Sequence, residues 1–137
     1  MAHTEFQKQA KVTLGIAAQS VATATKVGTF WSMENAHHVA VVFVIGAVTA
    51  AVTLSVIQGK KAGATGGTTA TISGKSTAIG TANANSVKII EVEASELNVA
   101  SGYKSIAAKA VAGGAGAILG ATVIRVPLRF EPSSYLT

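Results

Sequence analysis

The stretch VAVVFVIGAVTAAVTLSVIQGKK, Val39 to Lys61, decides the fold, because no residue in it is charged before Lys60. An apolar run of this length approaches the roughly 20 residues that a membrane-spanning helix requires. The alternative is a pair of strands in a β-sheet protein. The composition favours strands, since the run is rich in Val, Ile and Thr, and β-branched side chains fit pleated surfaces better than helices.

The second half of this stretch alternates between apolar and small or polar residues. The even positions are Val48, Ala50, Val52, Leu54 and Val56, and the odd positions between them are Thr49, Ala51, Thr53 and Ser55. A period of two places the even positions on one face of a strand, whereas a helix in lipid has no reason to alternate. Residues 39–45 are apolar at every position, as in a strand buried on both faces.

We therefore predict two antiparallel strands joined by a turn at Gly46-Ala47, with the even positions from 48 to 56 facing the core. The competing interpretation is a small membrane-anchored protein that uses residues 39–57 as a helix.

The composition of the whole chain excludes several classes of protein. A length of 137 residues suits one domain with a real core. The chain has no cysteine, so it has no disulfide and no thiolate metal site, and it has no aspartate. Its net charge is +5, but the basic residues are scattered and are not interleaved with aromatic residues. We therefore expect no enzyme, no cofactor, no metal and no nucleic-acid partner.

Short alternating segments continue along the rest of the chain. The predicted strands cover residues 18–25, 27–33, 69–73, 87–93, 103–112 and 118–130, and no convincing helix separates them. This pattern predicts an all-β fold, a single β-sandwich or jelly-roll-like domain over residues 18–130. Residues 1–17 are predicted to form an N-terminal arm and residues 131–137 a C-terminal tail.

Two of these predicted strands carry different kinds of side chain on their two faces. In 87–93, Ile90 and Val92 share one face, while Val87 and Ile89 lie on the other face before Glu91 and Glu93. This change along the second face indicates an edge strand or a bulge. In the last strand, Ile124 and Val126 lie on the face opposite Arg125.

Four segments imitate functional motifs without their context. SGKST, 73–77, ends like a phosphate loop, but the glycine required five residues before Gly74 is Thr69, and no strand-loop-helix unit follows. GGAGAILG, 113–120, has its third glycine one residue too late for a dinucleotide site. His37 and His38 are adjacent on a strand, so they point to opposite faces and cannot easily bind one metal ion. The carboxylates of 91 and 93 fit a solvated or subunit-contacting face better than acid-base catalysis.

Four longer segments together resemble a family of small tailed-bacteriophage proteins encoded near the major capsid protein. They read FWSMENAHHVAVVFVIG, VTLSVIQGKKAGATGG, IIEVEASELNVASGY and VIRVPLRF, within residues 30–130. The family is characterised by a Trp-containing strand, a VTLxVxQ strand before a Gly-rich loop, and an IEVxASELDVxxGY segment. Val52–Gln58 and Ile90–Tyr103 match the last two patterns, with Asn98 where Asp is common.

The resemblance implies a virion protein, and specifically a head decoration (cement) protein. Such a protein would bind the outer surface of the phage head and stabilise contacts between major capsid subunits. The implied partners are the major capsid protein and other copies of this chain, with a trimer favoured by analogy and no membrane contact. The alternative within the virion is a structural protein of the tail or neck.

A cement protein can hold its partners through arms that become ordered on binding. The expected contact residues lie in the predicted arm and tail: Phe6, Lys8, Lys11, Tyr135 and Leu136. Three of them are large apolar side chains within polar segments, and the two lysines contribute positive charge toward an acidic capsid exterior. We expect both segments to be mobile in the isolated protein and ordered in the assembly.

Overall fold

Nine β-strands account for most of residues 10–127, the part of the chain that this computed structural model describes. Their bounds are β1 (Lys11–Val21), β2 (Ala24–Val27), β3 (Trp31–Ser32), β4 (Ala36–Val48), β5 (Val52–Gly59), β6 (Thr69–Ile79), β7 (Ser86–Glu93), β8 (Ser105–Ala112) and β9 (Ala117–Pro127). Within that range the only helical segments are three short 3-10 turns, Thr81–Asn83, Ala94–Glu96 and Val99–Ser101. The predicted all-β fold is confirmed.

The strands form two antiparallel sheets. The order is β1-β9-β4-β7 in the four-stranded sheet and β2-β8-β5-β6 in the five-stranded sheet, where β3 also pairs with β8. The pairing is nested: β1 pairs with β9, β2 and β3 with β8, β4 with β7, and β5 with β6. A chain that pairs its first strand with its last in this way, and then wraps into two sheets, has the connectivity of a jelly roll.

The core lies between the two sheets. The four-stranded sheet contributes alternate residues of its central strands, and the five-stranded sheet does the same. The fully buried members include Val39, Val41, Phe43, Leu119 and Val123 from the first sheet and Val52, Leu54, Val56, Ile106 and Ala110 from the second. Most strands therefore turn one face inward and leave the other for solvent or for a partner, as the period of two requires. The exception lies in the five-stranded sheet, where Ile57, Ala107 and Phe30 form a second buried cluster.

The predicted strands within residues 39–57 are confirmed, and so is the buried face of the second strand. The first strand was predicted to be buried on both faces, but it is buried on one only, because Val44 on its other face is 55% exposed. Val52, Leu54 and Val56 are buried, whereas Thr53 is exposed. No helix in the described part of the chain is long and apolar enough to cross a membrane. The interpretation of residues 39–57 as a membrane helix is therefore wrong.

The predicted hairpin between these two strands is also wrong. Gly46 and Ala47 lie inside β4, and the chain turns at residues 49–51 into the opposite sheet. The corner is held by the carbonyl oxygen of Gly116, which accepts hydrogen bonds from the backbone N–H groups of Thr49 (2.8 Å) and Ala50 (3.1 Å). Because the two strands face each other across the core, their apolar patterns look the same as those of a hairpin.

The first strand begins earlier than the sequence pattern indicates. β1 starts at Lys11 and pairs along its length with β9, so residues 11–17 belong to the sandwich and not to an arm. The register shifts twice, between Leu14 and Ile16 and between Ile16 and Gln19. These bulges interrupt the alternation that identifies a strand in a sequence, which explains the difference.

The strand β6 is longer than predicted. It covers Thr69–Ile79, where the sequence indicated a weak strand over 69–73 in a flexible loop. Its register against β5 shifts between Ser55 and Ile57, and Gly74 has φ +75°. A residue with positive φ within a strand favours glycine, and the bulge again conceals the period of two.

The side chain of Arg125 is fully buried in the sandwich. It lies on the inner face of β9, and its Nη1 donates a hydrogen bond to the carbonyl oxygen of Ser32 at 2.8 Å. Desolvation lowers the pKa of Arg125 from its ordinary value. Ile124 and Val126 lie on the opposite face, as predicted, and that apolar face is the outer one.

Candidate functional site

The outer face of the four-stranded sheet is the candidate functional site. Six of the nine large apolar side chains that are exposed among residues 10–127 lie on this face. They are Val12, Leu14, Val44, Val87, Ile89 and Ile118, and we call the surface that they form the apolar face. The half-buried side chains of Val42 and Ile124 lie between them.

The strand register makes this surface continuous. One row runs straight across the sheet through Leu14, Thr122, Val42 and Ile89, one residue from each strand. The neighbouring rows are Val12, Ile124, Ala40 and Glu91 on one side and Gly120, Val44 and Val87 on the other. Side chains directly opposite each other on one face are in contact distance, so these rows form a single patch.

The exposure of this patch is costly for an isolated protein in water. Leu14 and Ile89 are each 60% exposed, and Val44 is 55% exposed. Covering one half-exposed side chain of this size contributes about 1 kcal/mol, and monomers rarely expose a large contiguous apolar patch. The apolar face therefore has the character of a surface that is covered by another protein segment.

A groove crosses one end of the apolar face. Its volume is about 360 Å³, and its walls include Leu14, Ala18, Val44 and Ile118. Gly46 and Gly120 form part of its lining and contribute no side chain to it. A Cβ atom on Gly120 would come within 3.2 Å of the Ala18 backbone, because the bulged β1 lies close there. The groove is almost wholly apolar, and its size admits a large apolar side chain.

The opposite end of the face carries charge along β7. Glu91 and Glu93 are both exposed and lie in rows with Ala40 and His38 of β4. β7 is an edge strand of the four-stranded sheet, as the pattern of this segment predicted. The surface thus changes from apolar at the groove to acidic at the far end of β7.

The phosphate-loop imitation has a structural role. SGKST lies within β6 and is paired with β5, and the amine of Lys75 forms an ion pair with Glu96 Oε2 at 3.0 Å. The other oxygen of that carboxylate accepts the backbone N–H of Glu93 at 3.0 Å. The hydrogen bond from Glu93 and the ion pair with Lys75 lower the pKa of Glu96 below its ordinary value. The lysine therefore ties β6 to the turn after β7.

The glycine-rich imitation forms the connection between β8 and β9. Gly116 has φ +69°, and a Cβ atom there would overlap the carbonyl oxygen of Val21. Its own carbonyl oxygen also accepts the hydroxyl of Thr49 at 3.0 Å. Gly116 therefore allows a close approach of three chain segments, and this connection is a packed turn.

The adjacent histidines lie at the start of β4. Their rings meet edge to face with centroids 5.6 Å apart, and His37 is exposed while His38 is half-buried. No group of three or more His, Cys, Asp or Glu side chains that could hold a metal ion occurs in residues 10–127.

Of the predicted partner contacts, the structure places only Lys11. Its side chain is exposed at the start of β1, directly across from Arg125 of β9. Phe6, Lys8, Tyr135 and Leu136 lie outside the described residues.

The sequence analysis missed the apolar face, although its signals were present in three strands. Residues 39–45 are apolar on both faces, and Val87 and Ile89 lie opposite the core-facing Ile90. The face of β9 that carries Ile124 is the third signal.

Fold and surface together define a two-sheet β-sandwich with jelly-roll connectivity and an apolar face on one sheet. No protein-family model matches the chain, and no curated protein matches it.

Among solved structures, the chain is similar to a protein of the Bacillus endospore appendages, described as a novel family of disulfide-linked pili. The identity is 14% and the TM-score 0.48, over 93% of this chain and 96% of that one. It is also similar to chains of infectious bursal disease virus, strains Gt and Gx, with identities of 12% and 10% and TM-scores of 0.40. It covers 34% of each of those viral chains. At this level none of these similarities bears on function.

Proposed function

We propose that this protein is a structural subunit of a virion, and specifically a head decoration (cement) protein of a tailed bacteriophage. The observation that carries the proposal is the apolar face, a broad sheet surface whose large side chains remain about half exposed. The resemblance of Val52–Gln58 and Ile90–Tyr103 to the decoration-like family supports the same assignment.

The part of the apolar face on β7 is the surface that we assign to the major capsid protein. Val87 and Ile89 are 53% and 60% exposed, and they lie on an edge strand that a neighbouring subunit can approach. Glu91 and Glu93 continue the same face, so hydrogen-bond donors at the edge of the capsid contact would complement it.

A decoration protein acts through many weak contacts. Each copy contributes a modest apolar contact, and the symmetric shell presents the same site many times, so binding is reinforced by multiplicity. The second proposed partner, besides the major capsid protein, is other copies of this chain, as in the trimer that the resemblance implies. The proposed location is the outer surface of the phage head, without contact with nucleic acid or membrane.

The test uses phage heads that lack this protein and purified protein added back to them. The double variant Val87→Ser/Ile89→Ser should bind to fewer sites and should protect the heads less against heat. The matched control is Val27→Ser/Val111→Ser, which removes two exposed valines from the five-stranded sheet. Equal binding of both double variants and the wild type would contradict the assignment of the β7 surface.

Immunogold labelling of intact virions tests the location separately. Label distributed over the heads supports the decoration protein. Label confined to the tail or neck would replace it with the alternative structural role, and virions without label would contradict a virion role altogether.

A further inference from the structure

We propose that the groove on the apolar face receives the C-terminal segment, residues 128–137, of a neighbouring copy of this chain. The inference takes one assumption from the proposed function, namely that this protein acts as part of an assembly. It concerns contacts between copies, which form without a capsid, and it assigns a different part of the face from the β7 surface.

The groove requires an apolar occupant. Its walls come from three strands, with Leu14 on β1, Ile118 on β9 and Val44 on β4. These three side chains are between 53% and 60% exposed. Gly46 and Gly120 line the groove without contributing side chains, so a single large side chain inserted there would contact all three walls.

The segment beyond β9 carries side chains of the required kind. Its sequence is LRFEPSSYLT, in which Tyr135 and Leu136 follow a Pro-Ser-Ser spacer. Residues 1–9 contain one aromatic residue, Phe6, and otherwise mostly polar residues. The C-terminal segment is therefore the better chemical match for a groove with apolar walls.

The direction of β9 favours a neighbouring copy over the same copy. The segment leaves at Pro127, whereas the groove lies beside Gly120 at the other end of the strand, about 23 Å away at strand spacing. Leu136 can reach about 30 Å from Pro127 when the chain is fully extended. A segment that reversed direction and rose onto its own sheet would exhaust this reach. A neighbouring copy whose groove lies in line with β9 would receive the segment without this reversal.

Such a contact joins two different surfaces, the segment of one copy and the groove of the next. Contacts of this kind close into rings when the rotation between copies is suitable, and a ring of three is a trimer. The groove and the segment thus provide a physical basis for the oligomer that the resemblance implies.

The experiment measures the oligomeric state of the full chain by sedimentation velocity over a range of concentrations. The groove variant is Ile118→Ser, and the segment variant is Tyr135→Ser/Leu136→Ser. Each should weaken self-association by about tenfold or more, since each removes apolar contacts at the junction. Val111→Ser serves as the control and should associate like the wild type, and melting curves confirm that all variants fold.

Mixing the two variants gives the sharper result. The segment variant retains an intact groove and the groove variant retains an intact segment, so together they should form a complex of one copy of each and no larger species. If the copies instead associated through their apolar faces, the groove variant would not associate, whether or not the segment variant is added. A synthetic peptide of residues 128–137 should bind the segment variant, and Ile118→Ser in that background should weaken this binding by about tenfold or more.

Four outcomes would overturn the proposal. The first is self-association that survives Tyr135→Ser/Leu136→Ser. The second is self-association that is lost in Phe6→Ser, which would assign the contact to the N-terminal segment. The third is a wild type that stays monomeric and a peptide that binds only the segment variant, which would place each segment in its own groove. The fourth is a monomeric wild type with no peptide binding at all. Val87→Ser/Ile89→Ser should lose capsid binding and keep normal self-association, because the two proposals concern different parts of the apolar face.

Discussion

The guanidinium carbon of Arg125 lies 5.3 Å from the centroid of the Trp31 ring, so a charge from the four-stranded sheet rests on an aromatic ring of the five-stranded sheet. The indole Nε1 of Trp31 in turn donates to the carbonyl oxygen of Leu14 at 2.9 Å. Together with the hydrogen bond to Ser32, these contacts join β1, β3 and β9 at one end of the sandwich. A buried charge is tolerated here because the ring and the carbonyl oxygen compensate for lost water.

We expect Arg125→Ala to lower the free energy of unfolding by about 3 kcal/mol, since it leaves a cavity and an unpaired carbonyl oxygen. Chemical denaturation followed by Trp31 fluorescence measures this loss. The control is Lys11→Ala, which removes the same charge from the exposed residue across the strand pair and should cost less than about 0.5 kcal/mol. A similar loss in both variants would mean that net charge, and not burial, is responsible.

We expect Val52→Asp to prevent folding or to cost several kcal/mol, because Val52 is 1% exposed and an unpaired carboxylate would enter the core. Thr53→Asp, at the exposed neighbouring position, should be much milder. Thermal unfolding of the two variants provides the comparison. Equal destabilisation would contradict the assignment of the inner and outer faces of β5.

Gly116→Ala should cost about 3 kcal/mol or more, because alanine disfavours φ +69° and its Cβ would overlap the Val21 carbonyl oxygen. Gly113, in the same connection, has open space around its Cα. Gly113→Ala should therefore change the stability by less than about 1 kcal/mol, and a melting curve of each variant measures the difference. A harmless Gly116→Ala would show that the connection can shift without loss.

The stability of the protein should depend on pH through Glu96. Because the folded protein holds the pKa of Glu96 below its ordinary value near 4.5, the charged carboxylate stabilises the fold above that value. This contribution is lost as the pH falls through the folded-state pKa. Glu96→Gln should therefore have a lower melting temperature than the wild type near neutral pH, and the two should converge in acid.

Salt provides the control for this ion pair. Lys75 and Glu96 lie near the surface, so added salt should reduce the contribution of the ion pair but leave the hydrogen bond from Glu93. A difference between wild type and Glu96→Gln that persists unchanged in acid would contradict the role of the charged form.

The sequence predicted which face of a strand is buried more reliably than it predicted which strands are neighbours. The alternation from Val48 to Val56 identifies the inner face of β5 because burial is a local property of every second residue. The same pattern does not distinguish a hairpin from a corner between two sheets. That choice depends on contacts far along the chain, such as the hydrogen bonds from Thr49 and Ala50 to Gly116.

Irregular strands were the other source of error. The bulges beside Ile16 each insert one extra residue into β1, and the irregularity at Gly74 inserts three into β6, so both strands lose the alternation that marks them. Arg125 shows the limit for single residues, since its burial depends on Trp31 and Ser32, which are distant in the sequence. The candidate site has the same limit. The apolar residues of each strand can be recognised in the sequence, but the register that joins them into one surface cannot.

The position of β9 has a consequence for how the protein forms during synthesis. β9 is the last strand in the chain order of the described residues, yet it lies between β1 and β4 in the middle of its sheet. A nascent chain that has not yet delivered residues 117–127 leaves β1 without its partner and one side of β4 open. The four-stranded sheet therefore cannot be completed until β9 has been translated. Until then the earlier strands leave apolar surface open to chaperones.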